Sequence, residues 1–182
     1  MKKTLILFAM VGLTNFAIAQ KKRTTTSATI NFDATTSLDK LPKADNKTVV
    51  ASLDTKTGNV AFESLVKSFT FSNPKMQEHF NGDKWMDSDK FPTATFTGKI
   101  TNIGAVNFKK DGTYSANVSG NLSIHGFTKP VTSVASIMVS GKKISTTTDF
   151  SVKLADFGVN GGAIAAGKVA TDPKITVVAD FK

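Results

Sequence analysis

The sequence predicts an all-β fold, an antiparallel sheet of eight or nine strands closed into a barrel and interrupted by one short helix. Three observations predict it. Apolar and polar residues alternate one by one along most of the chain. That period of two belongs to strands, because a helix would scatter the apolar residues over every face. Glycine-bearing turns separate the alternating runs, as in antiparallel hairpins. Several runs reach ten or more residues, and closure removes the edges that such long strands would expose. A membrane barrel also alternates, with its apolar face outward and with girdles of Tyr and Trp. This chain has 1 Tyr, 1 Trp and 14 Phe, so the apolar face is placed inward. An eight-stranded barrel has room inside for side chains or one slender ligand.

The N-terminus stands outside this pattern. Lys2-Lys3 is a basic n-region, residues 5–13 are apolar, and Ala17-Ile18-Ala19 fits a cleavage site. Residues 1–19 are read as a signal peptide, because the apolar run is too short to cross a bilayer. The mature chain is then exported, periplasmic or secreted, with no integral membrane span after cleavage. No cysteine is present, so no disulfide forms. Loss of Lys2 and Lys3 lowers the net charge from +9 to +7. Residues 20–27 are basic and threonine-rich and read as a disordered leader. Residues 28–182 are the barrel domain.

Residues 29–33 alternate as a first strand, and 35–46, with Pro42 and several charges, read as a loop. Residues 48–53 and 59–66 are two strands around a turn that ends in Gly58. The stretch from Ser68 to Ile100 breaks the pattern. Phe69 and Phe71 alternate with polar residues. Asn73-Pro74 then supplies an N-cap and a proline at the first helical position, and Gly82 a stop. Met76 and Phe80 share one helical face. Trp85, Met86 and Phe91 follow on a loop, and alternation resumes at Ala94.

Residues 103–109 and 113–124 read as a hairpin across Asp111-Gly112. The second of these is the clearest strand of the chain. Ala116 and Gly120 on its apolar face mark a close approach or a bend. His125-Gly126 and Ser140-Gly141 turn the chain around a strand over 131–139. Another alternation covers 144–157. Residues 158–173 are Gly/Ala-rich and long for a loop, which points to a functional segment. Residues 175–181 close the sheet.

Three ordered blocks resemble a known family. Phe69-Thr-Phe71 with Met76-Gln-Glu-His79-Phe80 and Phe91-Pro-Thr-Ala-Thr-Phe96-Thr-Gly98 form the first. Gly120-Asn-Leu122-Ser-Ile124-His125-Gly126-Phe127 through Val131 is the second, and Phe150-Ser-Val152 with Asp156-Phe157-Gly158 the third. Together they are similar to the YceI-like family of secreted lipid-binding proteins. The resemblance implies an eight-stranded lipocalin-like antiparallel barrel around an apolar channel, and a hydrophobic small-molecule partner, an isoprenoid or fatty-acyl lipid. The leader and the segment near Ala163-Ile164-Ala165-Ala166 match nothing in that pattern.

A hydrocarbon chain offers nothing to hydrogen-bond, so its affinity comes from apolar area withdrawn from water. Phenylalanine suits that task. The expected lining is Phe32, Phe62, Phe69, Phe71, Met76, Phe80, Trp85, Phe91, Phe96, Leu122 and Phe150, with core packing as the competing role for each. Met76, Phe80, Trp85 and Phe91 are expected to form a lid and entrance. His79 and His125 are assigned a structural role, or contact with a polar head group at the mouth. No HxH, HExxH or G-x-S-x-G spacing occurs, and Glu63 and Glu78 are unpaired. No catalytic residue, metal or cofactor is therefore expected, and no nucleic-acid partner, because Arg23 is the only arginine and the lysines are scattered. The oligomeric state stays open between monomer and homodimer. The competing function is a non-catalytic structural or interaction barrel filled by its own side chains.

Overall fold

The computed structural model describes residues 22–181, and the expected signal peptide lies outside them. These residues form β1 (Lys22–Asp33), β2 (Lys43–Asp54), β3 (Asn59–Leu65), β4 (Thr70–Phe71), α1 (Pro74–Asn81), β5 (Thr93–Ile100), β6 (Gly112–Ile124), β7 (Phe127–Ser140), β8 (Lys143–Ser151), α2 (Gly162–Ala165) and β9 (Lys174–Phe181). The sheet order is β1-β9-β8-β7-β6-β5-β3-β2, and β1 pairs with β2 to close the ring. Every ladder is antiparallel. The result is a closed eight-stranded barrel. The remaining strand, β4, is a spur on β2 through Ala44↔Phe71 and Asp45↔Thr70.

The alternation of β6 decides which face is inside. Ala116 and Leu122 are buried, whereas Thr113, Ser115, Asn117, Ser119 and Asn121 are exposed. The hairpin to β7 turns on His125 and Gly126, at φ 51° and 77°. Two successive positive φ values give a turn whose twist matches that of the sheet. The ladder then runs from Ile124↔Phe127 to Gly112↔Val139.

Helix α1 forms where the sequence places it. The Asn73 side chain accepts a hydrogen bond from the Lys75 N–H at 2.9 Å, Pro74 opens the first turn, and Gly82 donates to the carbonyls of Glu78 and His79. The cap satisfies one of the donors that a helix start leaves open.

Residues 22–27 are not disordered. They form the first half of β1, with Lys22 to Thr25 opposite Asp54 to Ala51 of β2. Their polarity resembles that of a disordered tail, but β-branched threonine suits an extended, half-exposed strand. Without it the far end of β2 would be an open edge. Strand β2 also starts earlier than expected, at Lys43. Ala44 and Asn46 point inward there, at 3% and 0% exposure. Asn46 survives burial because its amide donates to the Leu65 carbonyl while its oxygen accepts from the Thr48 N–H and hydroxyl.

Residues 103–109 are not a strand. The side chain of Asn102 takes the place of a ladder: its oxygen accepts from the Asn117 N–H at 2.7 Å and its amide donates to the Ser115 carbonyl at 3.2 Å. A 3-10 turn over Ile103–Ala105 follows, and Ile103, Val106 and Phe108 pack across one end of the barrel. Asp111 does not close the expected hairpin; its carboxylate accepts from the Gly141 N–H at 2.8 Å. The alternation through 144–157 stops as a strand at Ser151. Leu154–Phe157 form a 3-10 turn that ends on Gly158 at φ 71°. The Gly/Ala-rich segment carries the short helix α2.

The interior divides by height. Leu53, Ile100, Ile137 and Phe181 fill the end that residues 103–108 cover. Leu122, Val152 and Phe157 mark the end nearer α1, together with Phe96 and Phe150.

Candidate functional site

A cavity of about 160 Å³ runs inside the barrel. Phe69, Ile124 and Val152 line it at the α1 end, and Ile100, Ile137 and Phe181 at the other. Its wall is almost wholly hydrocarbon. Of the few polar residues along it, Ser133, Thr146 and Thr148 are turned to one another or to the backbone. The Ser133 and Thr148 hydroxyl oxygens lie 2.6 Å apart, and Ser133 donates to the Asp149 carbonyl. Ser64 is 3% exposed, and its hydroxyl has no partner within the protein.

Five of the residues expected from sequence line this cavity: Phe62, Phe69, Phe96, Leu122 and Phe150. The strands bring four of them together, because Phe62, Phe96, Leu122 and Phe150 occupy inward positions of β3, β5, β6 and β8, and Phe62↔Phe96 and Phe96↔Leu122 are direct cross-strand pairs; Phe69 reaches the cavity from the segment just before β4. The aliphatic part of the wall lies outside the residues expected from sequence. Ile30, Val60, Val131, Ile175 and Val177 line it as well. Period two already places each on the apolar face of its strand, but nothing local distinguishes an aliphatic residue of the wall from one of the filled core.

The other eight expected residues do not line the cavity. Phe32, Phe71 and Phe80 form an aromatic cluster outside it. The Phe80 ring lies 6.2 Å from Phe32, 5.7 Å from Phe69 and 5.0 Å from Phe71. Helix α1 is thereby pinned over the β1 end and the β4 spur. Phe69 belongs both to this cluster and to the cavity wall, so it is the link between α1 and the lumen. Met76 is half-buried on α1, and His79, on the same helix, faces solvent.

Trp85 packs in a second cluster with Val66, Met86, Leu154 and Val159, and its indole lies beside Gly161. It joins the loop after α1 to the segment that carries α2. Phe91 packs against Gly126 and stands edge-on to His125 at 4.8 Å, with the Lys90 ammonium 5.2 Å from its ring centre. His125 itself is tied to the Phe157 carbonyl through Nδ1 at 3.0 Å. A carbonyl only accepts, so that nitrogen carries the proton. These residues hold the layer above the lumen together without opening onto it.

Electrostatics leave the lumen alone. Three carboxyls lie below the usual range, all near the barrel surface. For Asp33, burial pushes the other way, but the Thr35 hydroxyl and N–H and the Lys43 ammonium prevail. Asp54 is held down by the N–H groups of Lys56 and Thr57. Asp149 is held down by the Thr176 hydroxyl and Lys174, against a small effect of burial. None of the three lines the cavity. Among the described residues, no group of three or more His, Cys, Asp or Glu side chains could hold a metal ion. No helix among them is long and apolar enough to cross a membrane.

Comparison with known proteins gives a consistent picture. The profile of the YceI-like domain family matches residues 14–181. Proteins named YceI from Salmonella arizonae and from Salmonella newport are 29% identical over 136 residues. The alignment covers 71% of this chain but 60% of each of those proteins. Among solved structures, a polyisoprenoid binding domain from Saccharophagus degradans, implicated in plant cell wall breakdown, superposes with a TM-score of 0.74 at 13% identity. It matches over 90% of this chain and 98% of its own. BcnA from Burkholderia cenocepacia gives 0.71 at 20% identity, over 84% of this chain and 95% of its own. The Campylobacter jejuni YceI protein gives 0.53 at 21% identity, over 74% and 81%.

Proposed function

The chain belongs to the YceI-like family, and on that premise we propose that it is a binding protein rather than a catalyst, holding a long apolar ligand of the polyisoprenoid or fatty-acyl class in its barrel. The observation that carries this reading is the lumen, bounded by Phe62, Phe96, Leu122 and Phe150 and nearly devoid of accessible polar atoms. A hydrocarbon chain placed there gives up its water contact at about 25 cal/mol per Å², before the ordering costs of binding. It asks for no hydrogen bonds, and apart from the Ser64 hydroxyl the wall offers almost none.

The polyisoprenoid-binding description of the Saccharophagus relative supports the same ligand class. Export to the periplasm or beyond is part of the proposal. It rests on the basic n-region at Lys2-Lys3, the short apolar run and the Ala17-Ile18-Ala19 site. Within the layer above the lumen, Phe69 and the α1 residue Phe80 are the contacts through which a ligand would enter or leave.

Native mass spectrometry of the protein, expressed with its own leader and recovered without detergent, tests the reading. A co-purified apolar molecule that organic solvent extracts, and that the stripped protein takes up again, is the expected result. A chain that carries no lipid and takes up none refutes it, and leaves a barrel that merely packs its own core.

A further inference from the structure

The lumen contains a contact that its apolar chemistry alone does not require. Phe96 faces inward from β5, and the next inward position on that strand is Gly98. Opposite Gly98 on β6 stands Gly120. A Cβ added to Gly98 would sit 2.7 Å from Phe96 Cζ, and one added to Gly120 would sit 2.6 Å from the same atom. The backbone is as close: the Gly98 Cβ would meet the Ser119 carbonyl oxygen at 2.6 Å and the Gly120 Cα at 2.9 Å. Neither glycine has a positive φ. They are therefore required for room, not for backbone conformation.

The consequence concerns the direction of the Phe96 ring. Its tip lies over the two glycines, along the β5–β6 wall. An eight-stranded barrel is just wide enough for its own side chains to fill. A phenyl ring standing across the lumen would close it at this height, so the glycine pair keeps the channel open by giving the ring a place to lie. The same cavity continues past it to Ile100 and Phe181, so a ligand chain reaching that depth must pass the ring.

We propose that Phe96, seated on Gly98 and Gly120, sets the width of the channel and so selects among ligands by the thickness of their hydrocarbon chain. The ring in its seat leaves space for a methyl-branched isoprenoid. Forced upward or enlarged, it leaves space only for an unbranched acyl chain. The inference rests on the lipid-carrier reading and adds the residue that decides between its two ligand classes.

Stripped protein titrated with geranylgeraniol and with stearic acid, each followed by native mass spectrometry, tests it across Phe96→Ala and Phe96→Trp. Phe96→Ala widens the channel and is expected to shift the affinity ratio about tenfold toward geranylgeraniol. Phe96→Trp overfills the seat and shifts the ratio the other way. Opposite shifts from one position are a signature that loss of stability does not produce. Should Phe96→Ala fail to fold, Phe96→Leu carries the same test with a smaller change of volume. Folded variants that bind both probes at the wild-type ratio overturn the inference while leaving the carrier reading in place. A wild-type chain that binds neither probe overturns both.

Discussion

The Nδ1 atom of His125 lies 3.0 Å from the Phe157 carbonyl oxygen, a bond between residues 32 apart in sequence. It ties the β6–β7 turn to the 3-10 turn that ends β8 and begins the Gly/Ala-rich segment. His125→Ala is expected to cost about 1 kcal/mol for the lost bond. His125→Gly loses the same bond but relieves the positive φ, so it should be the less damaging of the two. Urea unfolding of both variants checks the order.

Phe80 is the ring through which α1 holds on to the barrel. It contacts Phe32, Phe69 and Phe71 at once. Phe80→Ala should destabilise by about 2 kcal/mol, below the range for a fully buried phenylalanine because this ring is only half-buried. Bound lipid should also exchange faster. Transfer of a fluorescent fatty acid from the variant to vesicles, timed by stopped flow, measures that second effect.

Two glycines with positive φ separate conformational strain from steric conflict. Gly141, at φ 58°, has open space where a Cβ would go. Gly126, at φ 77°, would place its Cβ 2.7 Å from Phe91 Cε1. Gly141→Ala should cost about 1 kcal/mol, the left-handed penalty alone. Gly126→Ala should cost clearly more, and Phe91→Leu in the same chain should recover part of the difference. A double-mutant cycle by thermal unfolding reads it.

Ser64 is buried with an unsatisfied hydroxyl. Ser64→Ala removes a buried hydroxyl that no protein group partners. Stability should rise by about 1 kcal/mol. A drop instead would mean that the hydroxyl has a partner, such as a bound molecule.

The acid limb of stability should reflect three carboxyls. Asp33, Asp54 and Asp149 lie below their ordinary value of 3.8 in the folded protein. A depressed carboxylate contributes its stabilisation in full above the unfolded pKa and loses it as the pH falls through the lower, folded one. From these groups the melting temperature should therefore be level between about pH 5 and pH 8 and fall below about pH 4. All three are close to the surface, so the change is modest, and the contributions of Lys43 and Lys174 should weaken with salt. Asp149→Asn should flatten the acid limb by its share in a melting series against pH.

The barrel, its inward face and the helix that interrupts it are all written in local pattern. Alternation over Thr113 to Ile124 admits no other periodicity, and Asn73-Pro74 with Gly82 bounds a helix by local chemistry alone. Both depend on residues near in sequence, where pattern and structure coincide. Tertiary structure decided which phenylalanines face the lumen. Phe62, Phe96 and Phe150 occupy inward positions of long strands, whereas Phe32, Phe71 and Phe80 meet one another outside it, because β4 and α1 fold back over the end of β1. It also decided that residues 22–27 are a strand and that 103–109 are not. In the first case a partner, β2, was waiting to be paired. In the second the Asn102 side chain had already taken the hydrogen bonds that a strand would need. Such outcomes turn on what arrives from elsewhere in the chain, and local pattern carries no record of it.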